Sequence, residues 1–188
     1  VLNRLLRLPF RGPLHRALFK TVCWVEHRLL SIAQPTFRCP SPLRDTTDLG
    51  DEIIEICPIF SKNKLTVRYS NHDIENIRAL HLEFIIRGNA SGIFKGKILR
   101  SANHGIISFH HGDNRWNRGG PPGFWEVYLR KPATGFIVQR LTEELDNGEV
   151  LLRGEILTSS TYTENRQRLF QDSQPLLQRL LDYFLTNS

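Results

Sequence analysis

The sequence predicts an α/β fold, a mostly parallel sheet flanked by helices. Three observations point to it. Short apolar runs alternate with helical segments along the chain, and breaker clusters such as Pro35 to Pro42 and Gly119 to Gly123 separate some of them. A composition of 40% hydrophobic and 23% charged residues suits a 188-residue chain that buries a core.

The first predicted element is a helix from Leu14 to Leu30, where Leu14, Leu18, Val22, Val25 and Leu29 recur at steps of three and four and form one face. Pro9, Gly12 and Pro13 punctuate its approach, and the stretch Pro35 to Pro42 follows as a loop. Between Val1 and Ala33, Arg4, Arg7, Arg11, Arg16, Lys20 and Arg28 stand against Glu26 alone. Residues 1–45 therefore read as a basic amphipathic helical arm with a linker, and residues 46–188 as the globular domain.

Within the domain, Ile53 to Ile59 is expected as a strand, and Asp73 to Leu80 as a helix with Asn71 as its N-cap. Leu82 to Ile86 reads as a buried strand ending at Gly88, and Phe94 to Ala102 as a short helix. Ile106 to His111 is a strand, Phe124 to Leu129 a helix, and Gly135 to Leu141 and Glu149 to Leu157 two more strands. The tail from Thr163 to Phe184 is apolar at helical spacing and is expected as two helices split by Pro175.

No run approaches the roughly 18 apolar residues that span a bilayer, and no leader pattern opens the chain. Cys23, Cys39 and Cys57 are widely spaced and form no C-x-x-C pair, so free thiols in a reducing, cytoplasmic setting are expected. The net charge of +6 is concentrated in the arm. Solvated arginines on a helix face account for it better than nucleic-acid binding, and a membrane surface is the partner that the arm leaves open. The chain opens on Val1 and contains no methionine, so it is expected to lack its start. Nothing in it sets the oligomeric state.

The polar stretch from Ser108 to Pro122 holds the densest chemistry and follows a predicted strand directly, where ligands of α/β sheets bind. Strand alternation puts Ser108 and His110 on one face, with backbones roughly 6 to 7 Å apart. His110, His111 and Asp113 also have the chemistry of metal ligands, but adjacent strand residues point apart and no further ligand falls at a recognisable spacing, so no metal is expected. For His111 a structural role is the better reading. Asp146-Asn-Gly148, taken alone, is an ordinary turn.

The order of these pieces resembles the formyltransferase family. That family carries N-x-H after a strand, then R-G, a helix, a T-G strand and D-x-G. Here stand Ser108-Phe-His110, Arg118-Gly119, Phe124-Trp125-Glu-Val127, Thr134-Gly135 and Asp146-Asn-Gly148. The segment Ala90 to Leu99 resembles the one that packs beside the folate pterin. The likeness runs from about Leu82 to Arg153 and implies a Rossmann-type formyltransferase-like catalytic domain over residues 46–188, lacking its opening βαβ units. It implies Ser108, His110 and Asp146 as the catalytic group, with Ser108 in place of the family's asparagine. Gly88, Asn89, Ile93, Glu143, Glu144 and Leu145 are implied as folate-proximal, and 10-formyltetrahydrofolate as the formyl donor. The acceptor would be an amine; the loop Arg115-Trp-Asn-Arg118 favours one on a sugar or a lipid. Two rival readings share the fold: hydrolysis of formyltetrahydrofolate, with water as acceptor, and a non-catalytic binding module.

Overall fold

A computed structural model describes residues 12–33, 54–88, 92–115, 120–144 and 147–187. The chain divides into two compact units. One comprises residues 1–44, 111–136 and 154–175, the other residues 45–110, 137–153 and 176–188.

In the first unit, helix α1 (Pro13–Ala33) turns Phe19 onto Phe124 and Tyr162, with ring centroids 5.6 and 5.3 Å apart. The side chains it turns inward are Phe19, Cys23, Glu26 and Leu30. The periodic face read from the sequence lies outward instead, with Leu18 62% exposed and Val22, Val25 and Leu29 also exposed. Glu26 accepts from Thr163 N at 2.9 Å, Thr163 Oγ1 at 2.7 Å and Tyr162 N at 3.3 Å. It thereby supplies a negative group to the otherwise unpaired amides at the start of a later helix.

A second knot of this unit surrounds Asn165, which is fully buried. Its Nδ2 donates to Gly123 O and Thr134 Oγ1, both at 2.9 Å, and its Oδ1 accepts from Ser159 N at 3.0 Å. A Cβ at Gly123 would stand 2.8 Å from that Nδ2, and one at Gly135 2.8 Å from the Asp113 Cβ. The Thr134-Gly135 pair thus has a packing reason: one residue bonds Asn165, and the other lets the loop at Asp113 approach.

The second unit holds the larger apolar core. Strands β1 (Ile59–Phe60), β2 (Thr66–Arg68) and β4 (Ile93–Phe94) form a three-stranded sheet in the order β1-β2-β4. Helix α2 (Asn71–Ala79) follows β2 and buries Ile74 and Ile77, three residues apart on one face. Val67, Ile77, Phe94, Ile98 and Ile106 meet in the core, with Ile85, Leu99 and Leu141 packed around them.

The second sheet runs β3 (Ile85–Arg87), β5 (Ile106–His110), β6 (Ala133–Arg140) and β7 (Glu149–Leu157) in that order. β3 pairs with β5 in parallel and β5 with β6 antiparallel, so the sheets are mixed. Helix α3 (Phe124–Tyr128) precedes β6, and helix α4 (Tyr162–Thr186) follows β7. Among the described residues, no helix is long and apolar enough to cross a membrane.

Several element boundaries differ from the sequence reading, each for a physical reason. The strand expected over Ile53 to Ile59 is reduced to Ile59–Phe60, because Pro58 offers no N–H to a ladder. Residues 51–53 lie outside the described ones. Thr66–Arg68 is a strand that the sequence reading did not include. Helix α2 is capped by Ser70, whose hydroxyl accepts from Asp73 N at 3.1 Å, and not by Asn71. The helix expected from Phe94 to Ala102 is a strand, Ile93–Phe94, then one 3₁₀ turn, Lys97–Arg100. Ile93 N and Lys95 N bond Leu65 O and Val67 O, and Gly96 then turns to φ 84. The tail is one helix, not two. Pro175 and Gln171 are both exposed, so the carbonyl that the proline leaves unbonded faces water.

Candidate active site

The site is best built from the ladder upward. Ser108 pairs with Arg87 on its β3 side and with Gln139 on its β6 side. Paired residues point to the same face of a sheet, so Arg87, Ser108 and Gln139 form one polar row across three strands. His110, two residues on, shares that face at the end of β5 and is half-buried.

Arg87 and Gln139 of this row line a cleft of about 350 Å³, which Ser108 does not line. Ile93, Phe94, Leu65 and Leu141 supply apolar wall, Lys64 and Arg87 cationic wall, and Gln139, Thr142, Glu144 and Gly148 the remaining polar wall. Arg87 is held in place: Nη2 donates to Gly92 O at 3.0 Å, and its guanidinium lies over the Phe94 ring, 5.1 Å from the centroid. Gly92, at φ 91, allows this approach, since a Cβ there would stand 2.6 Å from Val67 Cγ2. Gly148 is equally constrained, because a Cβ would meet Arg140 O at 2.6 Å and Gln139 Oε1 at 2.8 Å.

The segment that forms one wall is tied down from two sides. Glu143 Oε1 accepts from Gly96 N at 2.8 Å, its Oε2 lies 3.8 Å from Lys95 Nζ, and Lys95 Nζ also donates to the Glu143 carbonyl. Within the segment Thr142 Oγ1 donates to Asn147 O at 3.1 Å and accepts from Glu144 N at 3.3 Å, while Asn147 Nδ2 donates to Glu144 Oε2.

The residues expected from the sequence fall as follows. Ser108 is buried, and its Oγ donates to the Phe109 carbonyl at 3.2 Å. Ile93 and Glu144 line the cleft. Glu143 bonds Gly96 and Lys95 rather than lining it, and Gly88 is exposed just beyond β3. Asp146, Leu145 and Asn89 lie outside the described residues. The sequence reading missed Arg87, Gln139, Leu141, Thr142 and Lys64. The alternation that placed Ser108 and His110 together applies equally to Gln139 and Leu141, and that was the available signal.

In the first unit, His111 stacks on Phe170 at 4.0 Å between centroids. Asp113 accepts from Arg115 N at 3.0 Å and from Nε at 2.9 and 3.0 Å, and pairs with Nη2 as well. Arg115 thus pairs with its neighbour while its side chain stays 64% exposed. Trp116 and Arg118 lie outside the described residues. Cys23 and Cys57 are free, and burial, followed by the nearby Glu26, pushes the Cys23 thiol up, away from the nucleophilic thiolate.

No protein-family model matches the chain. Methionyl-tRNA formyltransferase of Listeria monocytogenes is 25% identical over 99 residues, 53% of this chain and 31% of that protein. Over that stretch the chain is similar to the formyltransferases. The chain thus spans about a third of the length of the curated relatives it matches. Solved structures agree at the level of fold. Glycinamide ribonucleotide transformylase 1 from Symbiobacterium toebii superposes with a TM-score of 0.51 at 14% identity, over 58% of this chain and 52% of that one. Phosphoribosylglycinamide formyltransferase from Bacillus halodurans gives 0.51 at 12%, over 62% and 61%.

Proposed function

We propose that the chain carries the donor-binding and reacting part of a folate-dependent formyltransferase, which moves a formyl group from 10-formyltetrahydrofolate to an amine. The observation that carries this is the polar row Arg87, Ser108 and Gln139, of which Arg87 and Gln139 line a cleft whose wall also includes Thr142, Glu144 and Gly148. The residues suit such a donor. Ile93, Phe94 and Leu141 offer apolar wall to a flat heterocycle, Lys64 and Arg87 offer charge to an anionic tail, and the cleft is of ligand-binding size.

The bound donor supplies an activated formyl carbon. His110 would donate a hydrogen bond to the formyl oxygen, most strongly as imidazolium. As the amine nitrogen bonds the formyl carbon, Asp146 would favour that charged form and take the proton that the amine releases; the C–N10 bond then breaks, and the proton passes to N10 of the departing tetrahydrofolate. With Arg115 tied to Asp113, Trp116 and Arg118 are the loop residues left to meet a sugar or lipid that bears the amine.

The test is turnover with 10-formyltetrahydrofolate against a panel of amino sugars, amino lipids and water. His110→Ala is expected to lower turnover by about 10² to 10³. A variant that retains more than about a tenth of wild-type turnover would remove the oxyanion role. Formate released at the same rate with and without an amine would replace the transferase by a hydrolase.

A further inference from the structure

Helix α1 packs on its unit through Phe19, Cys23, Glu26 and Leu30, and a second face is left uncovered among the described residues. Leu18, Val22, Val25, Leu29 and Ile32 are all exposed, Ile32 at 78%. At about 3.6 residues per turn they fall within an arc of about 80°. Single exposed apolar side chains are ordinary, but a continuous stripe marks a surface that meets a partner. Its flank is basic and aromatic. Arg28 lies beside the stripe with its guanidinium over the Trp24 ring, 5.6 Å from the centroid, and Trp24 is itself 61% exposed. Lys20 and Arg16 follow farther round, both exposed. The one carboxylate of the helix, Glu26, is turned onto the amides of Tyr162 and Thr163, so the exposed charges share one sign.

These features select the partner. Steps of four and three also match a coiled-coil seam, but this one lasts only about two heptads. Pairing with a second copy would also bring Lys20 and Arg28 against like charges. A nucleic acid would use the cations and leave the apolar stripe in water. An anionic bilayer surface uses both: the stripe enters the acyl boundary, Trp24 sits at the headgroups, and the basic side chains reach lipid phosphates. We propose that α1 is an interfacial anchor, which lays its stripe over residues 18–32 into the surface of an anionic lipid bilayer. The helix lies on the membrane and does not cross it.

The probe is a vesicle of phosphatidylcholine with about 30 mol% phosphatidylserine, set against phosphatidylcholine alone. Binding of the 188-residue chain is read by flotation and by tryptophan fluorescence. The chain is expected to partition into the anionic vesicles at least about tenfold more strongly at about 0.1 M salt, and less so as salt rises. Trp24 emission moves to shorter wavelength on binding, and Trp24→Phe loses that move. Leu18→Gln with Leu29→Gln, both at solvent-facing positions, lowers partitioning at least about tenfold. Should that pair not fold, Ile32→Gln alone lowers it about threefold or more. Partitioning unchanged in a folded apolar variant means that charge alone makes the contact, and overturns the anchor. Equal flotation with neutral vesicles overturns it too, as does no flotation with anionic ones, whether or not the chain binds an RNA oligonucleotide or itself.

Discussion

Glu126 is the residue whose environment departs furthest from what a carboxylate prefers. It is 0% exposed, and neither carboxyl oxygen makes a hydrogen bond among the described residues. Burial raises its pKa most, its own peptide N–H opposes that rise, and the charge of Asp113 adds a smaller rise. The folded chain therefore favours the neutral acid. The stability that this lends is fully present below the unfolded pKa, near 4.3, and is lost as pH rises through the higher folded value. Glu126→Gln should flatten that loss and, at pH 7, unfold at higher urea by about 1 kcal/mol or more. A less stable Gln variant at pH 7 would mean that the ionised form has a partner. Glu126 was not legible from the sequence. A polar side chain in an apolar neighbourhood has no periodic signature, whereas Ser108 and His110 could be placed on one face by alternation alone.

At the scale of elements, the contacts that shape the cleft are made by Lys95, Gly96 and Glu143, which join the segment after β4 to the one after β6. A half-exposed ion pair contributes little to global stability, but here it fixes a ligand-facing wall. Lys95→Ala or Glu143→Gln should therefore weaken binding of 5-formyltetrahydrofolate about fivefold, or ~1 kcal/mol, with little change in Tm. The charge swap Lys95→Glu with Glu143→Lys should recover part of it. Affinity unchanged in either single variant would show that the wall holds without this tie. Elements with strong local signals were read well: β5, β7 and α3 fall close to their expected bounds. The misses share a cause. Periodicity in α1 identified an apolar face but not what covers it, and the packed face proved to be that of Phe19, Cys23, Glu26 and Leu30. Pro175 signalled a break that a solvated carbonyl made unnecessary. The two-residue strands β1 and β4 depend on a ladder partner that no local window contains.

At the scale of the molecule, the two sheets, β1-β2-β4 and β3-β5-β6-β7, bring residues distant in sequence onto one cleft: Lys64, Arg87, Ile93, Gln139 and Gly148 all line it. Binding of the proposed formyl donor in this cleft is decided by amide hydrogen exchange with and without 5-formyltetrahydrofolate. Exchange is expected to slow, by about tenfold or more at saturating ligand, in peptides containing Arg87, Ile93 and Gln139 to Thr142, and to stay unchanged in α1. Protection absent from those peptides, or confined to α1, would contradict it.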